Sequence, residues 1–331
     1  MILMTIKNVT IAGSGVLGSQ IAFQTAFRGY NVTIYDINDQ VLVKAKERIN
    51  GLVDIYQKEV QSQSEHLNVF LHNGVYESTI LPNLKDTLIR DLTTSRGNAA
   101  AVPIRMNYES DIAKAVFEAD LVIEAIPERV DIKESFYKQL AAVANEKTIF
   151  ATNTSTLLPS QFAEITGRPE KFLALHFANE IWKNNTAEIM GTKWTNQSIY
   201  DEVVEFAQGI GMIPIKLKKE QPGYVLNTLL VPLLDAAQML LAKGVADIET
   251  VDKTWMLATK APFGPFGILD IVGLKTAYDI TSNAAQNDPE YEELADMIKN
   301  DYIDKGKMGV STGEGFYKYP NPAYLDPDFL S

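Results

Sequence analysis

The chain contains no cysteine among its 331 residues. That excludes a disulfide framework, a thiol nucleophile and cysteine-ligated zinc. It also fits a reducing cytoplasm, the compartment expected here. Histidine is almost as scarce: His66, His72 and His176 are the only three, so no metal site is expected. Basic residues number 30 against 42 acids, a net charge of −12. Such a surface repels phosphate backbones, and no basic stripe offsets it, so nucleic acid is not an expected partner. Any anionic ligand must be held by local donors. No apolar run reaches the roughly 18 residues that a membrane-spanning helix needs. The N-terminal stretch MILMTIKNVTIAG lacks the basic flank and small-residue cleavage site of a secretion signal.

What is present suits a globular protein with ample core: 46% of residues are hydrophobic and 22% charged. The length suggests about two domains. Through the first two-thirds, strand-like and helix-like segments alternate. NVTIA (8–12), NVTIY (31–35), LVIEA (121–125), TIFA (148–151) and FLALH (172–176) are short apolar runs that read as buried strands. Residues 16–28, 39–57 and 131–144 carry apolar positions at helical spacing. This rhythm predicts an α/β fold with a parallel, doubly wound sheet. Residues of about 60–102 interrupt it and read as an irregular, partly helical excursion, with a modest apolar stretch at 75–81. After Pro222-Gly223 the strand signals fade and helical patterns follow over 224–243, 248–257, 274–285 and 290–302. The expected division is a sheet domain over 1–219 and a mostly helical domain over 220–331.

TIAGSGVLGSQIA (10–22) holds Gly13, Gly15 and Gly18, a G-x-G-x-x-G pattern between a strand and a helix. In a dinucleotide loop the first glycine permits the tight turn. The second lets a pyrophosphate approach the backbone, and the third lets helix and strand pack closely. Val16 and Leu17 would present N–H groups at the helix start, where the dipole favours anions. The second strand ends at Asp36, eighteen residues after Gly18, placed to accept hydrogen bonds from ribose hydroxyls. No arginine adjoins Asp36, so NAD is expected rather than NADP. The alternative is a structural glycine turn.

His176 ends an apolar strand in LALHFANE. It is either a satisfied core histidine or, because strand C-termini of such a sheet face the ligand crevice, a site residue. Glu188 lies in the apolar run TAEIMG. It is either a chance carboxylate or a buried one that needs a partner. A carboxylate on one ring nitrogen raises the basicity of the other, so the two could form an acid/base dyad. Asn153, Thr154 and Ser155 either cap a helix beginning near Leu158 or offer donors to a ligand.

These pieces together resemble the L-3-hydroxyacyl-CoA dehydrogenase family: GSGVLGSQIA, YDIN, LVIEAIPERVDIKESFYKQL, ATNTST, LHFANEIWKNNTAEIM, QPGYVLNTLLVPLLDAA, APFGPFGILDIVGL and STGEGFYKY, in family order. The resemblance implies a Rossmann-type NAD domain followed by a helical domain that carries a homodimer interface. It implies His176 as general acid/base, Glu188 as its orienting partner, and Ser155 and Asn227 on the reacting oxygen. Glu128, Lys133 and Asn153 would stand at the nicotinamide end, with Asn179 beside the histidine. The chain departs from the pattern in places. Glu180 replaces the proline of the family's H-F-x-N-P, and Thr228 replaces the arginine of its N-R. The lysine-rich stretch that helps hold CoA reads DIYQKEVQSQSE here, leaving Lys44, Lys46 and Arg48 as possible donors. The implied activity is reversible NAD-dependent oxidation of a 3-hydroxyacyl-CoA, short chain such as 3-hydroxybutyryl-CoA. The alternatives are a dehydrogenase of a free hydroxy acid, carnitine- or gulonate-like, or a non-catalytic NAD(H)-binding protein.

Overall fold

The computed structural model of the protein describes residues 6–72, 84–286 and 288–331. They fall into two compact units, Met1–Val225 and Leu226–Ser331. The first opens with β1 (Asn8–Ala12), α1 (Val16–Phe27) and β2 (Asn31–Tyr35), as the β-branched runs and the apolar helix between them predict. Then come α2 (Asp39–His72), α3 (Leu84–Arg105), β3 (Met106–Glu109), α4 (Ile112–Val116), β4 (Leu121–Glu124) and α5 (Val130–Val143). The unit ends with β5 (Ile149–Thr152), β6 (Phe172–Phe177), β7 (Thr186–Gly191), α6 (Gln197–Gly209) and β8 (Ile213–Leu217).

Among the described residues, eight strands form one sheet in the order β3-β2-β1-β4-β5-β6-β7-β8. Alternate side chains feed two cores. Ile11, Ile34, Leu121 and Ile123 pack on one face with α1 residues Ile21 and Phe23. Val122 and Phe150 pack on the other with α5 residues Tyr137 and Leu140. Helices cover both faces, which is the doubly wound arrangement.

Three expectations are corrected. The stretch from about 60 to 102 is regular where described: residues 60–72 continue α2, and 84–105 form α3. Gly97 and Pro103 both lie inside α3, where Ala99 and Val102 are fully buried. A sparse apolar stripe on a polar helix left little periodicity to detect. The apolar stretch at 75–81 lies outside the described residues. A strand, β3, was not anticipated. It is a four-residue edge strand with only Met106 buried, so it lacks the apolar run that marks the central strands. Finally, the sheet is not wholly parallel, because β6 and β7 run antiparallel. Residues 178–185 are too short a connection for the crossover that parallel strands require.

The second unit comprises α7 (Leu226–Ala242), α8 (Ile248–Thr259), α9 (Pro265–Val272), α10 (Leu274–Ala285) and α11 (Glu290–Met297). Phe266, Leu274, Leu294 and Ile298 are at its centre. α9 falls in a stretch rich in Gly and Pro, where no helix was expected. Pro265 takes its first turn, where a missing N–H costs nothing. Two buried aspartates organise the unit. Asp252 accepts from the N–H groups of Phe266 and Gly267 at 2.9 and 3.1 Å and from the Tyr317 hydroxyl at 2.9 Å. Asp270 accepts from the N–H groups of Phe316 and Tyr317, both at 2.8 Å. A Cβ on Gly264 would stand 2.3 Å from the Asp252 carboxyl carbon, and one on Gly315 2.0 Å from an Asp270 oxygen. The motifs APFGPFG and GEGFY therefore serve the packing around these carboxylates.

Candidate active site

The glycine loop joins β1 to α1. Gly13 adopts φ +102°, and a Cβ there would fall 2.4 Å from the Ala125 carbonyl oxygen. A Cβ on Gly18 would fall 2.0 Å from the Gly13 carbonyl oxygen. Both positions therefore need glycine for close backbone approach. Gly15 differs: among the described residues, none beyond its chain neighbours has an atom within 4 Å of where its Cβ would be. No side chain caps α1, and no acid stands in its first turn. Its first N–H groups are thus available to an anion.

Two cavities in the first unit share Gly15, Ala125 and Ile126. The larger, about 840 Å³, is lined by Tyr35, Asp36, Ile37, Val41 and Arg48. Asp36 accepts from the Ser14 N–H and hydroxyl at 2.7 and 2.6 Å and from the Ile37 N–H at 2.8 Å. A carboxylate has about four acceptor sites, so capacity for a ribose hydroxyl remains. Arg48, grouped in the sequence with possible CoA donors, instead reaches this cavity from α2. Its guanidinium donates to the Ser14 carbonyl at 2.9 Å. The smaller cavity, about 360 Å³, is lined by Val16, Leu17, Gly18, Glu124, Glu128, Asn153 and Ser155. An uncapped helix start with a glycine open to ligand, flanked by an acid-bearing cavity and a polar one, fits a dinucleotide.

A buried ion network supports the second cavity. Lys133 on α5 is 1% exposed, and its ammonium meets Glu124 at 2.5 Å and Glu128 at 3.2 Å. Glu124 also accepts from the hydroxyls of Tyr137 at 2.9 Å and Thr152 at 2.7 Å. Glu128 accepts from the Thr154 hydroxyl, from the N–H groups of Ser155 and Thr156 at 3.0 Å each, and from the Thr156 hydroxyl. Burial alone would raise the Glu128 carboxyl. The Thr154 hydrogen bond, the Lys133 charge and the Thr156 N–H outweigh it and hold the group at about 2. Lys133 was expected at the nicotinamide ribose, but it lines neither cavity. It stands beneath Glu128, which does line one.

His176 and Glu188 face one another across β6 and β7. Nδ1 of the imidazole lies 3.1 Å from Glu188 Oε2, and Nε2 lies 3.1 Å from the Ser155 hydroxyl oxygen. Asn153 accepts the Phe177 N–H at 3.0 Å through its carboxamide oxygen, tying the end of β5 to the end of β6. The residues 153–155 thus do more than cap: the helix near 158 is a single 3-10 turn, Pro159–Gln161. Asn179 is exposed, and its carbonyl accepts from Asn184 at 2.7 Å. Asn227 lies in the first turn of α7, in the second unit.

Tyr224 was not singled out in the sequence, and Glu180 was noted there only as a departure from the family pattern. Tyr224 stacks on His176, with ring centroids 4.6 Å apart and planes at 14°. Glu180 takes φ +56°, a conformation closed to the proline it replaces. Its N–H donates to Gln20 on α1 at 2.8 Å, and its half-exposed carboxylate turns toward Lys183, 3.8 Å away. The departure at Glu180 is thus a different backbone turn as well as an added charge.

The fold and these cavities are those of a doubly wound dinucleotide-binding domain, with a histidine near the C-terminal end of β6. Residues 8–221 match the family model "3-hydroxyacyl-CoA dehydrogenase, NAD binding domain", and residues 223–319 match "3-hydroxyacyl-CoA dehydrogenase, C-terminal domain". The chain belongs to the 3-hydroxyacyl-CoA dehydrogenase family, whose members are NAD-dependent and act on CH–OH groups; its cofactor is NAD. It is similar to the mitochondrial hydroxyacyl-coenzyme A dehydrogenase of Rattus norvegicus, 32% identical over 95% of this chain and 91% of that one. A probable 3-hydroxybutyryl-CoA dehydrogenase of Bacillus subtilis is 28% identical over 96% and 98%. Among solved structures, a diketoreductase with substrate-directed dual catalysis of dicarbonyl compounds is 52% identical, with a TM-score of 0.82 over 96% of this chain and 100% of that one. Among the described residues, no helix is long and apolar enough to cross a membrane.

Proposed function

We propose that the protein interconverts a 3-hydroxyacyl-CoA and the 3-oxoacyl-CoA, with His176 and Glu188 as its acid/base dyad. The observation that carries this is the imidazole held between Glu188 at Nδ1 and Ser155 at Nε2, both at 3.1 Å. Bound NAD supplies the hydride acceptor. With Nδ1–H donated to Glu188, Nε2 is left to take the substrate's hydroxyl proton. Glu188 then faces the imidazolium and stabilises its charge. Ser155 shares the reacting oxygen, which fixes the substrate at Nε2. In reduction, the protonated Nε2 returns the proton to the developing alkoxide. Asn227 is assigned to the same oxygen by resemblance. Glu128 and Asn153 are assigned to the nicotinamide end, Lys133 acting through Glu128, and Asp36 with the Gly13–Gly18 loop to the adenosine and pyrophosphate. Asn179 is assigned a place beside the histidine.

A second reading keeps the chemistry and changes what carries the acyl group. It is favoured by the likeness to the diketoreductase and by the cations of α2. Arg48 is engaged by the Ser14 carbonyl, and the Lys46 ammonium lies 5.0 Å over the Tyr108 ring. Two of the three possible CoA donors are therefore occupied within the first unit. Family membership sets aside the non-catalytic reading. Parallel assays of NADH oxidation with acetoacetyl-CoA, acetoacetate and a dicarbonyl compound that carries no CoA decide the carrier. Turnover of the dicarbonyl compound or free acid with none of the thioester overturns the CoA assignment.

We also infer a homodimer built on the helical domain, expected over 220–331. Leu229, Val231 and Leu240 on α7 are exposed apolar residues, a pattern that suits an interface. Light scattering after gel filtration tests it, and a monomer at micromolar concentration overturns it. A cytoplasmic location is proposed on the absence of cysteine.

A further inference from the structure

The segment that closes the first unit meets the His176 group at three points. The Tyr224 ring lies flat on the imidazole at 4.6 Å. Its hydroxyl donates to the Thr154 carbonyl at 2.7 Å, one residue before Ser155. The next N–H, that of Val225, donates to Glu188 Oε1 at 2.9 Å, on the oxygen other than the one at Nδ1. Tyr224 makes these contacts at φ +55°, with 1% of its surface exposed. A non-glycine residue in the left-handed region persists only where its surroundings over-determine it. Burial, followed by the charges of Glu128, Glu188 and Glu124, pushes the phenol far above its ordinary range, so it remains a proton donor.

A hydrogen bond at Nδ1 gives the imidazole a direction but leaves it free to rock about that axis. The torsion that sets the ring plane is intrinsically broad. A stacked ring removes that freedom. A hydroxyl tethered to the Thr154 carbonyl removes the corresponding freedom of the turn that carries Ser155. We propose that Tyr224 is a positioning residue for proton transfer, its ring setting the plane of His176 and its hydroxyl setting the Ser155 turn. This rests on the reading of His176 as the proton-transfer group.

The test uses Tyr224→Phe and Tyr224→Leu in the full chain, with whichever of acetoacetyl-CoA and a CoA-free dicarbonyl compound the wild type reduces. Three quantities are read: kcat, the NADH dissociation constant, and the side-chain 15N resonances of His176, assigned by loss in His176→Asn. Tyr224→Phe keeps the ring and is expected to lower kcat by about 3–10-fold, with the 15N pattern unchanged. Tyr224→Leu is expected to lower kcat by about 30-fold or more and to shift the resonances toward a mixture of tautomers. NADH affinity should stay within about twofold in both, since the loop that holds it is untouched. A kcat within about twofold of wild type in Tyr224→Leu, or an unaltered 15N pattern in it, overturns the proposal. If Tyr224→Leu does not fold, Tyr224→Phe decides alone, and an undiminished kcat overturns the proposal. Undiminished turnover in His176→Asn would overturn the reading of His176 itself, an outcome distinct from either.

Discussion

His176 and Glu188 are register partners, paired directly across the antiparallel β6–β7 ladder with Leu175 opposite Ile189 and Phe177 opposite Ala187. Opposed residues in an antiparallel pair share a face and stand close enough for side chains to meet. The carboxylate therefore reaches Nδ1 at 3.1 Å without a loop to place it. A shift of one residue would send one side chain to the opposite face. The short connection over 178–185 is thus a condition of the site as well as of the sheet.

Glu188→Gln keeps the shape and removes the charge that faces the imidazole. With proton transfer through His176, kcat should fall by about 10²-fold or more, and His176→Asn should cost about 10²–10⁴-fold. NADH affinity should be retained in both. Steady-state kinetics beside fluorescence titration of NADH makes the check. Wild-type turnover in Glu188→Gln would contradict the dyad.

Lys133→Met leaves two carboxylates without their cation, one of them, Glu124, as buried as the lysine. Breaking a buried pair on one side costs about 3–5 kcal/mol. Urea denaturation should show a loss of that order, and the double change Lys133→Met with Glu124→Leu should recover part of it. A loss under about 1 kcal/mol would mean that water reaches the pair.

The Glu128 carboxyl is held at about 2, below its ordinary 4.5. A lowered acid contributes stability that is fully present above the unfolded value and is lost as pH falls through the folded one. That contribution should fade between about pH 4.5 and 2. Because Glu128 is partly exposed, solvent reduces its size. Denaturation midpoints across that range should fall more steeply in wild type than in Glu128→Gln. Parallel curves would show that the hydrogen bonds from Thr154 and Thr156 do not hold the charge.

Asp36 and Arg48 share the larger cavity. Removing the carboxylate in Asp36→Ala takes away the proposed ribose acceptor and leaves a cation able to meet a 2′-phosphate. NADH affinity should weaken by about tenfold, and the preference for NADH over NADPH should narrow by at least that factor. Restored discrimination in Asp36→Ala with Arg48→Ala would place the effect on Arg48. An unchanged preference in Asp36→Ala would show that Asp36 does not read the ribose.

Features that depend on neighbours in the chain were legible in the sequence. β1, the glycine loop and the start of α1 follow one another within fifteen residues, and each glycine's task is set by backbone geometry at that spot. The buried strands announced themselves as apolar runs. α3 did not, because it buries few residues and contains Gly97 and Pro103. β3 did not, because an edge strand needs no apolar run. The resemblance placed Lys133 at the nicotinamide end, but a lysine's spacing on α5 says nothing of the two carboxylates that bury it.

By itself the amino-acid order determined the two-part architecture, the glycine loop between β1 and α1, and the kinds of side chain available at the candidate site. These are consequences of local backbone sterics and of apolar periodicity, which act over a few residues. Only the tertiary structure decided which side chains meet. It set His176 opposite Glu188 by strand register, brought Arg48 to the Asp36 cavity from a separate helix, and laid Tyr224 on the imidazole from 48 residues away in sequence. Contacts of that range depend on direction and distance in the folded chain, and no short-range pattern encodes them.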